Sequence, residues 1–69
     1  MEFEWVDGYE ISVRSEKGVA LIKANKEGLQ SLAGHLLKLA EEAPGSHFHL
    51  DRHNSLEDDS DELIIEKGE

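Results

Sequence analysis

The sequence contains no cysteine, only one proline and no apolar run near the length of a membrane span. Without cysteine there is no disulfide and no thiolate metal site, which makes the reducing cytoplasm the natural compartment. A bilayer-spanning helix needs about 20 apolar residues, and the N-terminus MEFEWVDGYE is acidic where a signal peptide is basic. The sequence therefore predicts a soluble cytoplasmic protein without a membrane partner. Its 69 residues predict a single small domain, residues 1–69.

Basic residues are scarce in the second half of the chain. Residues 1–40 carry six acids and five bases, whereas residues 41–69 carry ten acids and two bases, so the two parts have net charges of −1 and −8. This imbalance disfavours direct binding to nucleic acid, because that affinity comes mostly from cations that neutralise phosphates. Electrostatic complementarity favours a basic protein partner instead. The alternative is that the negative surface only keeps a small protein soluble.

Residues 25–45 have the period of an amphipathic helix. At about 100° per residue, one broad face collects the apolar residues Leu29, Leu32, Ala33, Leu36, Leu39, Ala40 and Ala43. Asn25 is a suitable N-cap, and Pro44-Gly45 cannot continue the helical hydrogen bonds. We therefore expect one helix whose apolar face packs against the rest of the chain.

Five other segments are predicted strands: residues 2–6, 9–14, 19–24, 47–51 and 63–67. The first, second and fourth of them alternate between apolar and polar residues, which is the period of a half-buried strand. The order β-β-β-α-β-β predicts an α+β fold of two layers, with the amphipathic helix packed on a mostly antiparallel sheet. Phe48 and Leu50 are expected to face the helix, which leaves their neighbours on the outer face.

His47, His49 and Asp51 alternate along one predicted strand, so their side chains point to the same side. Imidazole and carboxylate groups can bind zinc or iron, and a histidine beside an aspartate can act in acid–base catalysis. No activated nucleophile and no glycine-rich phosphate loop accompanies them, so we do not predict an enzyme. His53 is a further candidate ligand, whereas His35, on the polar flank of the helix, lies in the wrong layer. We favour an exposed polar face that contacts a partner, with no metal or other cofactor.

The acidic segment 57–62, EDDSDE, lacks the ligand spacing of an EF-hand calcium loop. Its simplest structural interpretation is a solvated loop, and its functional interpretation is a docking surface for a basic partner. The predicted partner-binding residues combine this segment with the histidine strand: Glu57, Asp58, Asp59, Asp61, Glu62, Asp51, His47 and His49.

Three sequence blocks together resemble the immunity protein 32 family of bacterial polymorphic-toxin systems. They are N-K-E-G-L at residues 25–29, H-F-H-L-D at residues 47–51 and E-L-I-I-E-K at residues 62–67, within a similarity that covers roughly residues 19–67. The resemblance implies that the chain neutralises a cognate toxin by tight noncovalent binding. Such toxins are often nucleases, whose positively charged cleft an acidic surface can shield as a phosphate surrogate.

Two other interpretations stay open at this stage. The chain could be a small interaction or regulatory module of unknown partner, either a monomer or a homodimer that hides Phe3 and Trp5. It could also be a metal-binding protein that uses the strand with His47, His49 and Asp51.

Overall fold

The structure, a computed structural model, describes residues 2–69 and contains one helix and four strands in that part of the chain. The elements are β1 (Ile11–Glu16), β2 (Val19–Ala24), α1 (Lys26–Ala40), β3 (His47–Leu50) and β4 (Leu63–Glu66). β1 pairs antiparallel with β2, and β3 pairs antiparallel with β4. The predicted α+β class is confirmed, although the strands form two separate two-stranded sheets in place of one sheet. Among residues 2–69, no helix has the length and apolar character needed to cross a bilayer.

The first predicted strand, residues 2–6, is not a strand. The Val6 N–H donates to Ser31 Oγ at 2.8 Å, and Lys38 Nζ donates to the Glu2 carbonyl at 2.6 Å. These bonds hold the segment against α1, away from any strand partner. The alternation is real in terms of burial, since Phe3 and Trp5 are half-buried. We call residues 2–9 the N-terminal strap.

α1 begins where the sequence predicts and ends earlier than predicted. Asn25 Oδ1 accepts the Gly28 N–H at 2.7 Å, as expected of an N-cap. The helix ends at Ala40, before the chain reaches Pro44-Gly45. Lys67 Nζ donates to the carbonyls of Ala40 and Glu42, at 2.6 Å each. A cation that satisfies these last carbonyls stabilises the helix C-terminus.

The buried face of α1 is displaced from the predicted apolar face. Leu29 and Leu36 are exposed, whereas the buried residues are Gly28, Ser31, Leu32, His35 and Leu39. The contact at Gly28 explains the displacement, because a Cβ there would lie 2.5 Å from the Glu10 carbonyl oxygen and 2.9 Å from Ile11 Cγ1. The chain entering β1 therefore packs directly on the glycine side of the helix, and five of the seven residues of the predicted apolar face are left in solvent.

The core lies between α1 and the inner faces of both sheets. It is formed by Ile11, Val13, Leu32, Leu39, Phe48, Leu50 and Leu56. Phe48 and Leu50 face inward and their neighbours His47 and His49 are exposed, as predicted. Leu56 belongs to the long connection between β3 and β4, so its burial anchors that connection to the domain.

Candidate functional site

The acidic loop, residues 57–62, lies along the edge of β1 that β2 does not occupy. The Glu57 N–H donates to the Ile11 carbonyl at 2.8 Å, and the Asp61 N–H donates to the Val13 carbonyl at 2.8 Å. These two backbone bonds give the loop the position of a neighbouring strand. Since the loop leads directly into β4, it also connects one sheet to the other.

Two side chains of the acidic loop complete this attachment. Ser60 Oγ accepts the Val13 N–H at 3.2 Å, and Asp61 Oδ2 accepts the Ser15 N–H at 2.7 Å. Between the attachment points, the Ser60 N–H donates to the Glu57 carbonyl at 3.2 Å. Asp61 therefore holds the loop in place as well as adding to its charge.

The other carboxylates at the front of the loop are free of internal contacts. Glu57, Asp58 and Asp59 are all exposed, and within residues 2–69 their side chains make no hydrogen bond or salt bridge. Asp59 occupies the left-handed region with φ of 69°, which aspartate tolerates better than most residues. The result is a cluster of three solvated negative charges on a backbone fixed at both ends.

His47 and His49 adjoin this loop from the outer face of β3. Their ring centroids are 5.0 Å apart, and His49 Nδ1 lies 3.1 Å from Glu62 Oε2. His47 Nδ1 lies 3.2 Å from the Gly45 carbonyl oxygen. The contact with Glu62 joins the two histidines to the C-terminal end of the acidic loop, so these predicted residues share one surface.

Asp51 does not join that surface through its carboxylate. Its Oδ1 accepts the backbone N–H groups of His53 at 2.8 Å and Asn54 at 3.0 Å, which closes the turn after β3. The three groups suggested as metal ligands are thus not convergent. Across residues 2–69, no cluster of three or more histidine, cysteine, aspartate or glutamate side chains could hold a metal ion.

The assignment of His35 to the polar flank of the helix is wrong, because its side chain lies in the core. The residue is 0% exposed, and its ring centroid lies 4.4 Å from those of Phe3 and Trp5 and 6.0 Å from that of Phe48. Neither ring nitrogen has a hydrogen-bond partner among the described residues. Burial, reinforced by the charge of Lys38, lowers the pKa of His35 below 6.5. His35 is therefore a neutral core residue at pH 7.

Phe3 and Trp5 are already engaged within the chain. Besides their contacts with His35, Phe3 packs edge-on against Phe48 with centroids 5.1 Å apart, and Trp5 stacks on Tyr9 at 4.4 Å. Both residues therefore have partners within one chain, and a homodimer that hides them stays a prediction. The large apolar side chains that remain open lie mainly on β2 and the outer side of α1.

Comparison with known proteins identifies one family. The model of immunity protein 32 matches residues 20–68, which is more than two thirds of the chain. No curated protein and no solved structure matches the sequence. The matched range includes the helix cap, the histidine strand and the acidic loop, and it confirms the resemblance carried by the three sequence blocks. The chain belongs to the immunity protein 32 family.

Proposed function

We propose that this chain acts in the bacterial cytoplasm, binding a cognate toxin and neutralising it through the acidic loop, by occlusion and not by catalysis. Membership of the immunity protein 32 family supports the toxin-directed role. The use of the acidic loop as the contact surface is supported by its fixed backbone and its three unpaired carboxylates, Glu57, Asp58 and Asp59. Free carboxylates on a folded surface are suited to a basic partner.

The chemistry of the loop suits a toxin whose own substrate is anionic. A nuclease presents a positively charged cleft to phosphates, and aligned carboxylates can occupy such a cleft in place of the nucleic-acid backbone. Complementary charge also steers the two proteins together, so association is fast at low salt and slows as salt is added. Residues 41–69, which include the loop, carry ten acids and two bases, so most of the negative charge of the chain lies in the same segment as the loop.

The attachment of the loop to β1 adds affinity by a second route. Binding normally costs free energy because flexible segments lose conformational freedom at the interface. Here the backbone bonds of Glu57 and Asp61 to β1 have already ordered the loop. His47, His49 and Glu62 extend the contact surface along β3, where the partner can be recognised by shape and hydrogen bonding as well as by charge.

A capture experiment tests this proposal directly. The wild-type chain, immobilised as bait in a lysate of its own organism, should retain a basic, toxin-like protein that is identified by mass spectrometry. The double variant Glu57→Lys/Asp58→Lys should retain much less of it. These two positions are chosen because Asp59 has a left-handed backbone and Asp61 holds the loop.

The matched control is Glu4→Lys/Glu69→Lys, which changes the net charge equally at exposed positions outside the loop. It should retain the partner as the wild type does, apart from a small loss of long-range attraction. Equal retention by the loop variant and the control would contradict the acidic loop as the contact surface. An eluate without any toxin-like protein would contradict the toxin-binding role.

A further inference from the structure

β2 is an open edge strand with an apolar surface. Five of its six residues are exposed, and Val19, Leu21 and Ile22 are large apolar residues with 64%, 54% and 39% of their surface in solvent. Edge strands are normally protected by charges, proline or a covering segment. The acidic loop gives such cover to β1, whereas Lys23 is the single charged residue on β2.

The backbone of β2 has hydrogen-bonding groups available for another strand. The Asn25 N–H donates to the Glu10 carbonyl at 3.1 Å, which extends the β1–β2 ladder one pair beyond Ile11 and Ala24. Since the direction of backbone groups alternates along a strand, Leu21 and Lys23 turn theirs toward β1. Ala20 and Ile22 turn theirs outward, where no described residue pairs with them.

We propose that a second copy of the chain covers this edge, through antiparallel β2–β2 pairing centred on Leu21. A two-fold axis perpendicular to the sheet pairs each residue with a residue of the partner whose side chain lies on the same face. Because side chains alternate between faces, the axis must pass beside a residue and not between two residues. With Leu21 on the axis, the outward groups of Ala20 meet those of the partner's Ile22, and the reverse. Leu21 then packs against the partner's Leu21 in the closely spaced, non-hydrogen-bonded type of pair.

Charge favours this register over its neighbour. In the Leu21 register, Lys23 lies beside the partner's Val19, whose neighbour on β1 is the partner's Glu16, so opposite charges approach. In the register centred on Ile22, Lys23 lies beside the partner's Leu21, whose neighbour on β1 is the partner's Arg14. That register brings like charges together, and like charges across strands are destabilising. Two-fold symmetry makes each effect count twice.

Pairing through β2 leaves the acidic loops free. The order across the dimer is loop, β1, β2, and then the partner's β2, β1 and loop. With neighbouring strands about 4.8 Å apart, the two loops lie about 24 Å from each other at opposite ends of the joint sheet. Self-association is therefore compatible with toxin binding and does not depend on it.

Single-cysteine variants test the register, because the wild-type chain has no cysteine. Leu21→Cys should form a disulfide-linked dimer under mild oxidation, since a non-hydrogen-bonded pair has Cα atoms about 4.5 Å apart, within disulfide range. Val19→Cys is the near control: it is more exposed, but the two copies of this residue are offset by four positions, about 13 Å. Ile64→Cys, exposed on β4, is the remote control.

Sedimentation velocity on the wild-type chain provides the second measurement. The wild type should change from monomer to dimer as its concentration rises through the micromolar range, and Leu21→Lys should remain a monomer with an unchanged circular dichroism spectrum. A wild-type chain that stays monomeric at several hundred micromolar would overturn the proposal. Cross-linking of Leu21→Cys that is no faster than that of Val19→Cys or Ile64→Cys would overturn it as well.

Discussion

The two interior glycines of α1 make opposite predictions for the same substitution. Both Gly28 and Gly34 lie within the helix, where alanine is favoured over glycine by about 1 kcal/mol. A Cβ at Gly34 meets nothing within 4 Å. Gly34→Ala should therefore raise the free energy of unfolding by about 0.5–1 kcal/mol.

Gly28→Ala should lower it, because the added methyl group has no space. The new Cβ would lie 2.5 Å from the Glu10 carbonyl oxygen, 2.9 Å from Ile11 Cγ1 and 3.0 Å from Ala24 Cβ. The first neighbour is backbone, so relief requires β1 to move away from the helix. Overpacking of this kind costs about 1–3 kcal/mol, which offsets or exceeds the gain in helix propensity.

Gly28 lies in the first turn of α1, so its substitution gains at most the helix propensity that Gly34→Ala gains. The packing cost accounts for the rest of the difference between the two variants. We expect Gly28→Ala to be less stable than Gly34→Ala by about 1–3 kcal/mol. Urea unfolding followed by circular dichroism at 222 nm measures the difference, and the fluorescence of Trp5 reports on the strap in the same samples. If Gly28→Ala proved as stable as Gly34→Ala, the close approach of β1 to the helix would be refuted.

Three further predictions concern the core histidine, the loop attachment and the helix cap. The lowered pKa of His35 means that unfolding takes up a proton below pH 6.5, so the free energy of unfolding should fall by up to about 1.4 kcal/mol per pH unit below that pH. Urea midpoints measured at pH 7.5 and 5.5 should differ less in His35→Met than in the wild type, and an equal difference in both proteins would contradict the prediction. Asp61→Ala should lower the free energy of unfolding by roughly 1 kcal/mol, because the Ser15 N–H loses its acceptor, whereas Asp58→Ala should stay within about 0.5 kcal/mol of the wild type. Equal urea midpoints for the two variants would argue against the anchoring role of Asp61. Asn25→Ala should cost about 1–2 kcal/mol, and Asn25→Ser should cost less, because a serine hydroxyl can accept the Gly28 N–H without adding a charge beside Glu10. Thermal unfolding ranks the two variants, and the reverse order would contradict the cap.

Much of the secondary structure could be predicted because it depends on local patterns. The cap at Asn25, the period of α1 and the alternation around Phe48 and Leu50 each involve residues close in sequence. The first segment misled the prediction since Phe3 and Trp5 alternate as a strand does. Their shared partner is His35 of the helix, and Phe3 also contacts Phe48 of β3. Nothing within the segment itself distinguishes such side-chain packing from strand pairing.

The buried face of α1 was harder to predict for a related reason. An apolar face can be inferred from leucine spacing, but which part of it is covered depends on where β1 and the strap approach. The close contact at Gly28 and the aromatic enclosure of His35 joined residues far apart in the sequence. A histidine between glycine and leucine gave no local signal of complete burial.

The candidate site was predictable in composition and not in geometry. The excess of acids in residues 57–62 is visible in the sequence, and the structure places five of these acids on the surface. The attachment of Asp61 to Ser15, and the use of the Asp51 carboxylate in its own turn, arise from tertiary hydrogen bonds. These bonds give some of the acidic residues a structural role and leave others with unpaired carboxylates, a difference that the sequence does not show.

The most direct test of the central proposal is a protection assay with the toxin-like protein that the capture experiment retains. Induced in a bacterial host, that toxin should arrest growth, and co-expression of the wild-type chain should restore it. Glu4→Lys/Glu69→Lys should protect as the wild type does, whereas Glu57→Lys/Asp58→Lys, folded and equally abundant, should fail to protect. Full protection by the loop variant would contradict neutralisation through the acidic loop.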